Sequence, residues 1–151
     1  MPGEVCTARA PAVVGTLLGS CVAVAVYDPV GRVGGMCHAM LPGASPRHGD
    51  LRHLERALPF LFDAIRATGS DPRRWVLKAF GGAAVIDTIR SPGWDVGERN
   101  IEKLREILGR EGFPLASCDL GGTRGRRLRF HLADGLVFVR LLKGPEGTGA
   151  P

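Results

Sequence analysis

The four cysteines of this chain include no Cys-x-x-Cys pair. Cysteines at that spacing are the usual ligands of structural zinc and the usual redox dithiols, so the sequence argues against both kinds of site. In a reducing cytosol all four thiols would be free. Cys6, Cys37 and Cys118 are predicted to act as small structural hydrophobes. Cys21 is therefore the cysteine of interest for chemistry.

Long apolar runs are also missing. No stretch approaches the roughly 20 uninterrupted apolar residues that a membrane-spanning helix needs. The opening Met-Pro-Gly-Glu has neither the basic nor the apolar region of a signal peptide. We therefore expect a cytoplasmic protein that does not insert into a membrane.

Aromatic residues are few: one Tyr, two Trp and six Phe, none of which alternates with arginines. Stacking platforms for nucleic-acid bases need such aromatics, so nucleic-acid binding is disfavoured. The net charge of +5 allows an anionic partner without identifying one. Basic residues cluster at 124–129, which is read either as a solvated loop or as a docking surface for acidic helices.

The length and composition of the chain fit one domain. A chain of 151 residues that is 44% hydrophobic can bury about two thirds of its unfolded surface in a single core. Residues 1–10 are polar and mixed, and are predicted to form a flexible arm. The domain is expected over 11–143, and the Gly- and Pro-rich 144–151 are expected to be a disordered tail.

The segment around which the chain is organised runs from Gly15 to Pro42. Valine and alanine alternate over 22–27, the period of two that is typical of a strand. Pro and Gly at 28–32 predict a turn, and 33–40 should return as an antiparallel strand. Cys21 and His38 then lie at similar distances from the turn. A hairpin would bring a thiol beside an imidazole, which is a nucleophile beside its base.

The alternative interpretation of this pair is structural. Cys21 would be a buried thiol at the end of a strand, and His38 would be a hydrogen-bonded core histidine.

The other elements give an α+β fold. We predict a layered sandwich in which a mixed, largely antiparallel sheet packs against two main helices. One helix should start at an Asp50 cap and be kinked or divided at Pro59; the other should end at Gly112. Further strands are predicted over 12–18, 75–80, 113–120, 127–132 and 136–142.

Two glycine pairs, Gly81-Gly82 and Gly121-Gly122, each follow a predicted strand. Glycine permits positive φ angles or a close approach of another chain to the backbone. These pairs are read either as tight structural turns or as places where a docked helix comes close.

Six short motifs occur in order: LLGSCVAVAVYDP, GGMCHAMLP, LKAFGGA, VGERN before a helix, CDLGGTRGRRLRF and GLVFVR. Together they resemble the successive motifs of the chemoreceptor glutamine deamidases, the CheD family, from about Gly15 to Leu142. The resemblance implies a cytoplasmic chemotaxis enzyme, a protein-glutamine glutaminase that converts glutamines of methyl-accepting chemotaxis receptors to glutamate. It implies a fold similar to the catalytic domain of the cytotoxic necrotising factor, a deamidating toxin.

The resemblance also implies a triad of cysteine, histidine and threonine, with Cys21 as nucleophile and His38 as base. In the family pattern the threonine can lie six residues before the cysteine, where this chain has Gly15; Thr16 is five before. A shift of one residue along a strand turns a side chain to the opposite face. Thr16 is therefore expected to orient His38 only if the turn at Gly19 absorbs the difference. A backbone carbonyl is the alternative partner for the imidazole.

No metal or organic cofactor is expected for this chemistry. Backbone amides at Gly19 and Ser20 are candidates for stabilising the oxyanion that develops on an attacked amide. The receptor helix is expected to approach the glycine pairs, and Arg124 and Arg126 are expected to meet acidic residues beside the target glutamine. The resemblance further implies a possible partner, the chemotaxis phosphatase CheC, and a role as its regulator is the alternative function. We expect a monomer.

Overall fold

A computed structural model describes residues 3–42, 49–84 and 95–143 of the chain. These residues form eight strands, two α-helices and a short 3-10 helix at Pro72–Arg74. The strands are β1 (Glu4–Arg9), β2 (Val13–Leu18), β3 (Val22–Asp28), β4 (Val33–Ala39), β5 (Val76–Gly81), β6 (Leu115–Leu120), β7 (Arg126–His131) and β8 (Val137–Leu141). The helices are α1 (Leu54–Arg66) and α2 (Val96–Glu111).

The strands form two sheets. The larger has the order β1-β4-β3-β5-β6 and is antiparallel except for the parallel pair β5 and β6. The smaller is antiparallel with the order β2-β7-β8. The α+β class, the mixed sheet and the two helices are confirmed. The separate three-stranded sheet was not predicted, because the alternation of one strand does not reveal which sheet the strand joins.

Strand β3 lies in the middle of the larger sheet and separates two apolar layers. Its valines pack with α1 and α2, and its alanines face the smaller sheet, so the period of two is used on both faces. The molecule therefore has three layers: helices, the five-stranded sheet and the three-stranded sheet. The predicted hairpin of β3 and β4 is confirmed, with Ala23 opposite His38 and Asp28 opposite Val33.

The turn of this hairpin is fixed by Asp28, which is fully buried. Its carboxylate accepts hydrogen bonds from the amides of Val30 and Gly31, each at 3.0 Å, and from the Ser70 hydroxyl at 2.6 Å. The Arg74 guanidinium donates to both oxygens and, with burial opposing, holds the pKa of Asp28 well below its usual range. This network anchors the end of the hairpin remote from Cys21.

Helix α1 begins later than predicted. Its first residue is Leu54, and its N-cap is His53, which makes no side-chain capping bond. The Asp50 cap is therefore wrong: that carboxylate instead binds Arg52, through Nε at 2.9 Å and Nη2 at 2.8 Å. The helix continues through Pro59 as one element.

Helix α2 follows its sequence signals more closely. The Asp95 carboxylate accepts from the Glu98 amide at the start, and Gly112 takes a left-handed conformation at the end.

The flexible arm predicted over 1–10 is wrong for most of its length. Residues Glu4–Arg9 form β1, an edge strand whose full register pairs with β4. Polar composition was a poor guide here, because an edge strand keeps half of its side chains in water and needs few apolar residues. The tail predicted over 144–151 lies outside the described residues.

Candidate active site

Strands β3 and β4 bring Cys21 and His38 onto one face of the larger sheet. Ala23 pairs with His38, so their side chains share a face, and Cys21 lies two residues before Ala23 on that same face. Cys21 packs against the apolar cluster between the two sheets. Diagonal neighbours across an antiparallel pair lie roughly 7–8 Å apart, within reach of a histidine side chain. The register therefore supports the predicted proximity of thiol and imidazole.

Thr16 reaches the same site from the other sheet. Its Oγ1 lies 2.8 Å from His38 Nδ1. Along β2, the more buried residues alternate with exposed ones, and Val14, Thr16 and Leu18 are the more buried set. Thr16 lies five residues before Cys21, and this spacing is compatible with the contact. Strands β2 and β3 belong to two sheets that face each other, so the alternation of side chains along a single strand does not apply between them. Thr16, and no backbone carbonyl among the described residues, is the partner of this imidazole nitrogen.

The imidazole of His38 is well enclosed. The residue is only 4% exposed, and Nε2 has no hydrogen-bond partner among the described residues. Burial lowers the pKa of His38 to about 4, and the negative charge of Glu4, opposite His38 on β1, partly opposes that shift. At neutral pH the ring is therefore uncharged and can accept a proton.

The thiol of Cys21 is half-buried. Burial raises its pKa above the ordinary 9.0, and a hydrogen bond from its own backbone amide partly offsets the effect. At neutral pH the resting pair is a neutral thiol and a neutral imidazole rather than a thiolate and an imidazolium.

The backbone on which Cys21 sits is held at each of three consecutive carbonyls. In the segment 19–21 the carbonyls accept, in order, from the Ala83 amide at 3.0 Å, the side-chain amide of Asn100 at 3.0 Å and the Gly82 amide at 2.8 Å. All three donors come from the end of β5 or from α2. The predicted turn before Cys21 is thus anchored from one side.

Anchoring the carbonyls also orients the amides between them. In a planar trans peptide the N–H points away from the preceding C=O. The amides of Ser20 and Cys21 therefore point away from the donors that hold Gly19 and Ser20. No backbone carbonyl of the described residues accepts a hydrogen bond from either amide.

Comparison with known proteins decides the family. A family model described as CheD chemotactic sensory transduction matches residues 40–141. The chain belongs to the CheD family. That match begins after His38 and does not cover Thr16, Cys21 or His38.

Relatives named as CheD proteins cover nearly the whole chain. A probable chemoreceptor glutamine deamidase CheD 2 of Geobacter sulfurreducens is 38% identical, over 96% of this chain and 89% of the relative. A probable chemoreceptor glutamine deamidase CheD 1 of Anaeromyxobacter dehalogenans is 40% identical, over 93% and 81%. A probable chemoreceptor glutamine deamidase CheD of Methanococcus maripaludis is 39% identical, over 95% and 93%.

The first glycine pair of this CheD-family chain packs against the backbone at Cys21. Gly81 and Gly82 are buried, with φ angles of +106° and +70°. A Cβ on Gly81 would collide with the Cys21 carbonyl oxygen, and a Cβ on Gly82 would lie 2.5 Å from Ile101 Cγ1. The close backbone approach is therefore internal, and the expectation that these two glycines receive a docked helix is wrong.

The second pair lies nearer the surface. Gly121 is half-buried and donates to the Gly81 carbonyl at 2.8 Å, whereas Gly122 is exposed and accepts from Ala84 at 2.9 Å. Gly122 stays a candidate for docking.

Arg126, expected on a docking surface, is instead buried at 3% exposure. Its Nε lies 3.1 Å from an oxygen of Asp119, and its other nitrogens donate to the carbonyls of Gly81 at 3.4 Å and Gly121 at 2.8 Å. It joins β7 of the smaller sheet to the ends of β5 and β6. Arg124 is exposed and donates to the Leu142 carbonyl at 2.8 Å, so it remains available to a partner.

Sequence reasoning missed Asn100. The residue lies on α2 at 0% exposure, on the face that also buries Leu104 and Leu108. A polar side chain at an apolar position of an amphipathic helix was the available signal.

Across the described ranges, no group of three or more His, Cys, Asp or Glu is arranged to hold a metal ion. Within the same ranges, neither helix has the length and apolar character needed to cross a membrane.

Proposed function

We propose that this chain is a chemoreceptor glutamine deamidase. It hydrolyses side-chain amides of selected glutamines in methyl-accepting chemotaxis receptors to glutamate and ammonia, and it does so in the cytoplasm. One observation carries the proposal: a buried imidazole is held by Thr16 through Nδ1, has an unpaired Nε2, and shares a sheet face with the Cys21 thiol. The names of the relatives supply the substrate class.

In the resting tautomer, His38 Nδ1–H donates to Thr16 Oγ1 and Nε2 carries the free electron pair. Nε2 takes the proton of Cys21 as sulfur attacks the carbonyl carbon of the glutamine side chain. The pair of electrons displaced from the C=O bond becomes an oxyanion. The amides of Ser20 and Cys21 donate to this oxyanion. They are free to do so because the carbonyls of the same two peptide groups, those of Gly19 and Ser20, point the other way and are held by Ala83 and Asn100.

The second half of the reaction releases both products. The tetrahedral intermediate collapses, its C–N bond breaks, and His38 gives its proton to the departing ammonia, since an amide anion is too basic to leave. The remaining thioester is attacked by water, which loses a proton to His38. The C–S bond then breaks, glutamate is formed and the sulfur recovers its proton from the imidazolium.

Burial of the pair favours this general-base route. A neutral thiol beside a neutral imidazole avoids two charges in a poorly solvated site, so the proton moves only as the carbon is attacked. Thr16 keeps the ring in the orientation that this transfer needs.

The deciding experiment is mass spectrometry of a receptor cytoplasmic fragment incubated with the protein. Wild type should produce the mass increase from glutamine to glutamate, and Cys21→Ala and His38→Ala should abolish it. Cys118→Ala is the matched control, because that thiol is exposed on β6 and should be dispensable. Deamidation that persists in Cys21→Ala would remove the enzymatic proposal.

Binding and turnover should be separable. We propose that the exposed Arg124 and neighbouring arginines meet acidic side chains of the receptor helices, and that a CheC phosphatase can bind the same protein. Cys21→Ala should therefore still retain either partner in a pull-down while it no longer deamidates. The proposed molecule acts as a monomer with the layered fold of the necrotising-factor catalytic domain.

A further inference from the structure

We propose that Asn100 is a positioning residue for the oxyanion: it holds the Ser20 carbonyl and thereby aims the Cys21 amide at the oxygen on which the negative charge develops. The role rests on the proposed deamidase function. It adds a residue of helix α2 to a site otherwise built from strands.

The contacts of Asn100 are unambiguous in their direction. Its Nδ2 lies 3.0 Å from the Ser20 carbonyl oxygen and 3.3 Å from the Met40 carbonyl oxygen. Both partners can only accept hydrogen bonds, so the amide nitrogen, the side chain's donor, must face them. One side chain thus joins the strand that carries the thiol to the strand that carries the imidazole.

This bridge stands where the backbone ladder stops. The pairing of β3 with β4 ends at Val22 opposite Ala39. Cys21 and Met40 would be the next pair, one position beyond the ladder. The Asn100 side chain thus continues the link between the two strands one position past the end of the ladder.

The Ser20 contact acts on the oxyanion donor through a single rigid unit. The Ser20 C=O and the Cys21 N–H belong to one planar peptide group. A hydrogen bond to the oxygen therefore fixes the direction of the N–H, and it also polarises the group, which strengthens the N–H as a donor.

A stability cost accompanies the arrangement. Only two buried side-chain nitrogen or oxygen atoms lack a hydrogen-bond partner in the described parts of the chain, namely His38 Nε2 and Asn100 Oδ1. A half-satisfied amide in a core is destabilising, and an apolar residue would avoid it. His38 lies diagonally across from Cys21 in the register, and Asn100 binds the neighbouring Ser20 carbonyl, so the cost is placed near the proposed chemistry.

The test compares Asn100→Ala with Leu104→Ala. Both residues are 0% exposed on the same face of α2, but Leu104 belongs to the apolar core beneath the sheet. Two reactions are measured below the melting temperature of each protein. One is deamidation of a receptor fragment, for which kcat and KM are determined. The other is alkylation of the Cys21 thiol by iodoacetamide, followed by mass spectrometry; that displacement forms no oxyanion.

We expect Asn100→Ala to lower kcat by roughly 10²-fold, the scale of losing one oxyanion donor. Its KM and its alkylation rate should stay within about threefold of wild type, because the substrate contacts and the thiol are unchanged. Leu104→Ala should lower the melting temperature while keeping kcat within about threefold. Asn100→Leu has a similar volume without the donor and should lose kcat as Asn100→Ala does.

Several results would overturn the proposal. Unchanged kcat in Asn100→Ala is one; alkylation that falls in parallel with kcat is another, since the thiol itself would then be disturbed. Equal loss of kcat in Leu104→Ala, or failure of both Asn100 variants to fold, would assign the residue to stability instead. A wild-type protein that forms no glutamate would sink the deamidase function, and this role with it.

Discussion

Thr16 Oγ1 lies 2.8 Å from His38 Nδ1 although the two residues belong to different sheets. The imidazole is therefore attached to the larger sheet by its backbone and to the smaller sheet by its ring. The packing of the sheets, and not only the hairpin, sets the direction in which the unpaired Nε2 points.

Removing the Thr16 hydroxyl should impair the proposed general base. Thr16→Val keeps the shape of the side chain and loses the bond to Nδ1, which frees the ring to rotate. A positioned base contributes about 10²–10⁴-fold, so we expect kcat to fall at least roughly tenfold while KM changes little. Thr16→Ser retains the hydroxyl and should stay near wild type. Equal kcat in the valine and serine variants would leave Thr16 without a role.

The depressed pKa of His38 predicts an unusual pH profile. An ordinary histidine loses its proton near 6.5, but burial keeps this ring neutral down to about pH 4. The proposed base can therefore accept a proton between about pH 4 and pH 6.5, and the acid limb of kcat/KM should lie well below pH 6.5. Loss of activity with a midpoint near 6.5 would contradict the buried, neutral imidazole.

A companion variant tests the cause. The carboxylate of Glu4 raises the pKa of His38, so Glu4→Gln should move the acid limb to still lower pH. Movement in the opposite direction would show that the carboxylate does not act on the ring.

The hairpin that carries Cys21 and His38 could be predicted because its information is local. Alternating valine and alanine, followed by a Pro- and Gly-containing turn, determine both strands and their register. The Thr16 contact could not be derived in the same way, because it depends on two strands that face each other across an apolar layer. The family pattern supplied the residue type. The chain changes sheet between β2 and β3, which explains why a threonine five residues before Cys21 can still contact His38.

Arg126 and Asn100 show the opposite limit of sequence reasoning. Arg126 was grouped with its basic neighbours by charge, yet it is buried against Asp119 and two carbonyls. The environment of such a side chain comes from strands distant in sequence. Burial of a polar residue is not visible in composition, only in the periodicity of its element.

Gly81 should be intolerant of a side chain for a reason specific to the site. Gly81→Ala adds a Cβ that collides with the Cys21 carbonyl oxygen, so the Cys21 backbone must move. Gly112→Ala is the matched control: its φ is also positive, at +74°, but its Cβ would meet nothing within 4 Å. The control should cost about 1–2 kcal/mol of backbone strain and keep kcat. Gly81→Ala should lose kcat as well, measured with the unfolding free energy of both variants.

Arg126 and Arg124 should differ in what they do. Arg126→Ala removes the donor to the Gly121 carbonyl and one of the two donors to the Gly81 carbonyl, and we expect the free energy of unfolding to fall by about 1–3 kcal/mol. The Asp119 carboxylate is open to solvent, so its ion pair with Arg126 adds little to the free energy of unfolding. Arg124→Ala should change stability by less than about 0.5 kcal/mol. Urea titration of both variants measures the contrast, and similar values would refute the assignment of Arg126 to an internal clamp.

The exposed arginine should instead matter for substrate binding. If Arg124 meets acidic residues on a receptor helix, salt should weaken the encounter, because raising ionic strength from about 0.05 M to about 0.5 M shortens the Debye length to well below about 10 Å. We expect KM for the receptor fragment to rise with salt, and kcat to stay constant because the buried site is shielded. Arg124→Ala should raise KM at low salt and flatten its salt dependence. A KM that is independent of salt in wild type would exclude electrostatic docking, and an unchanged salt dependence in Arg124→Ala would place the docking charge elsewhere on the protein.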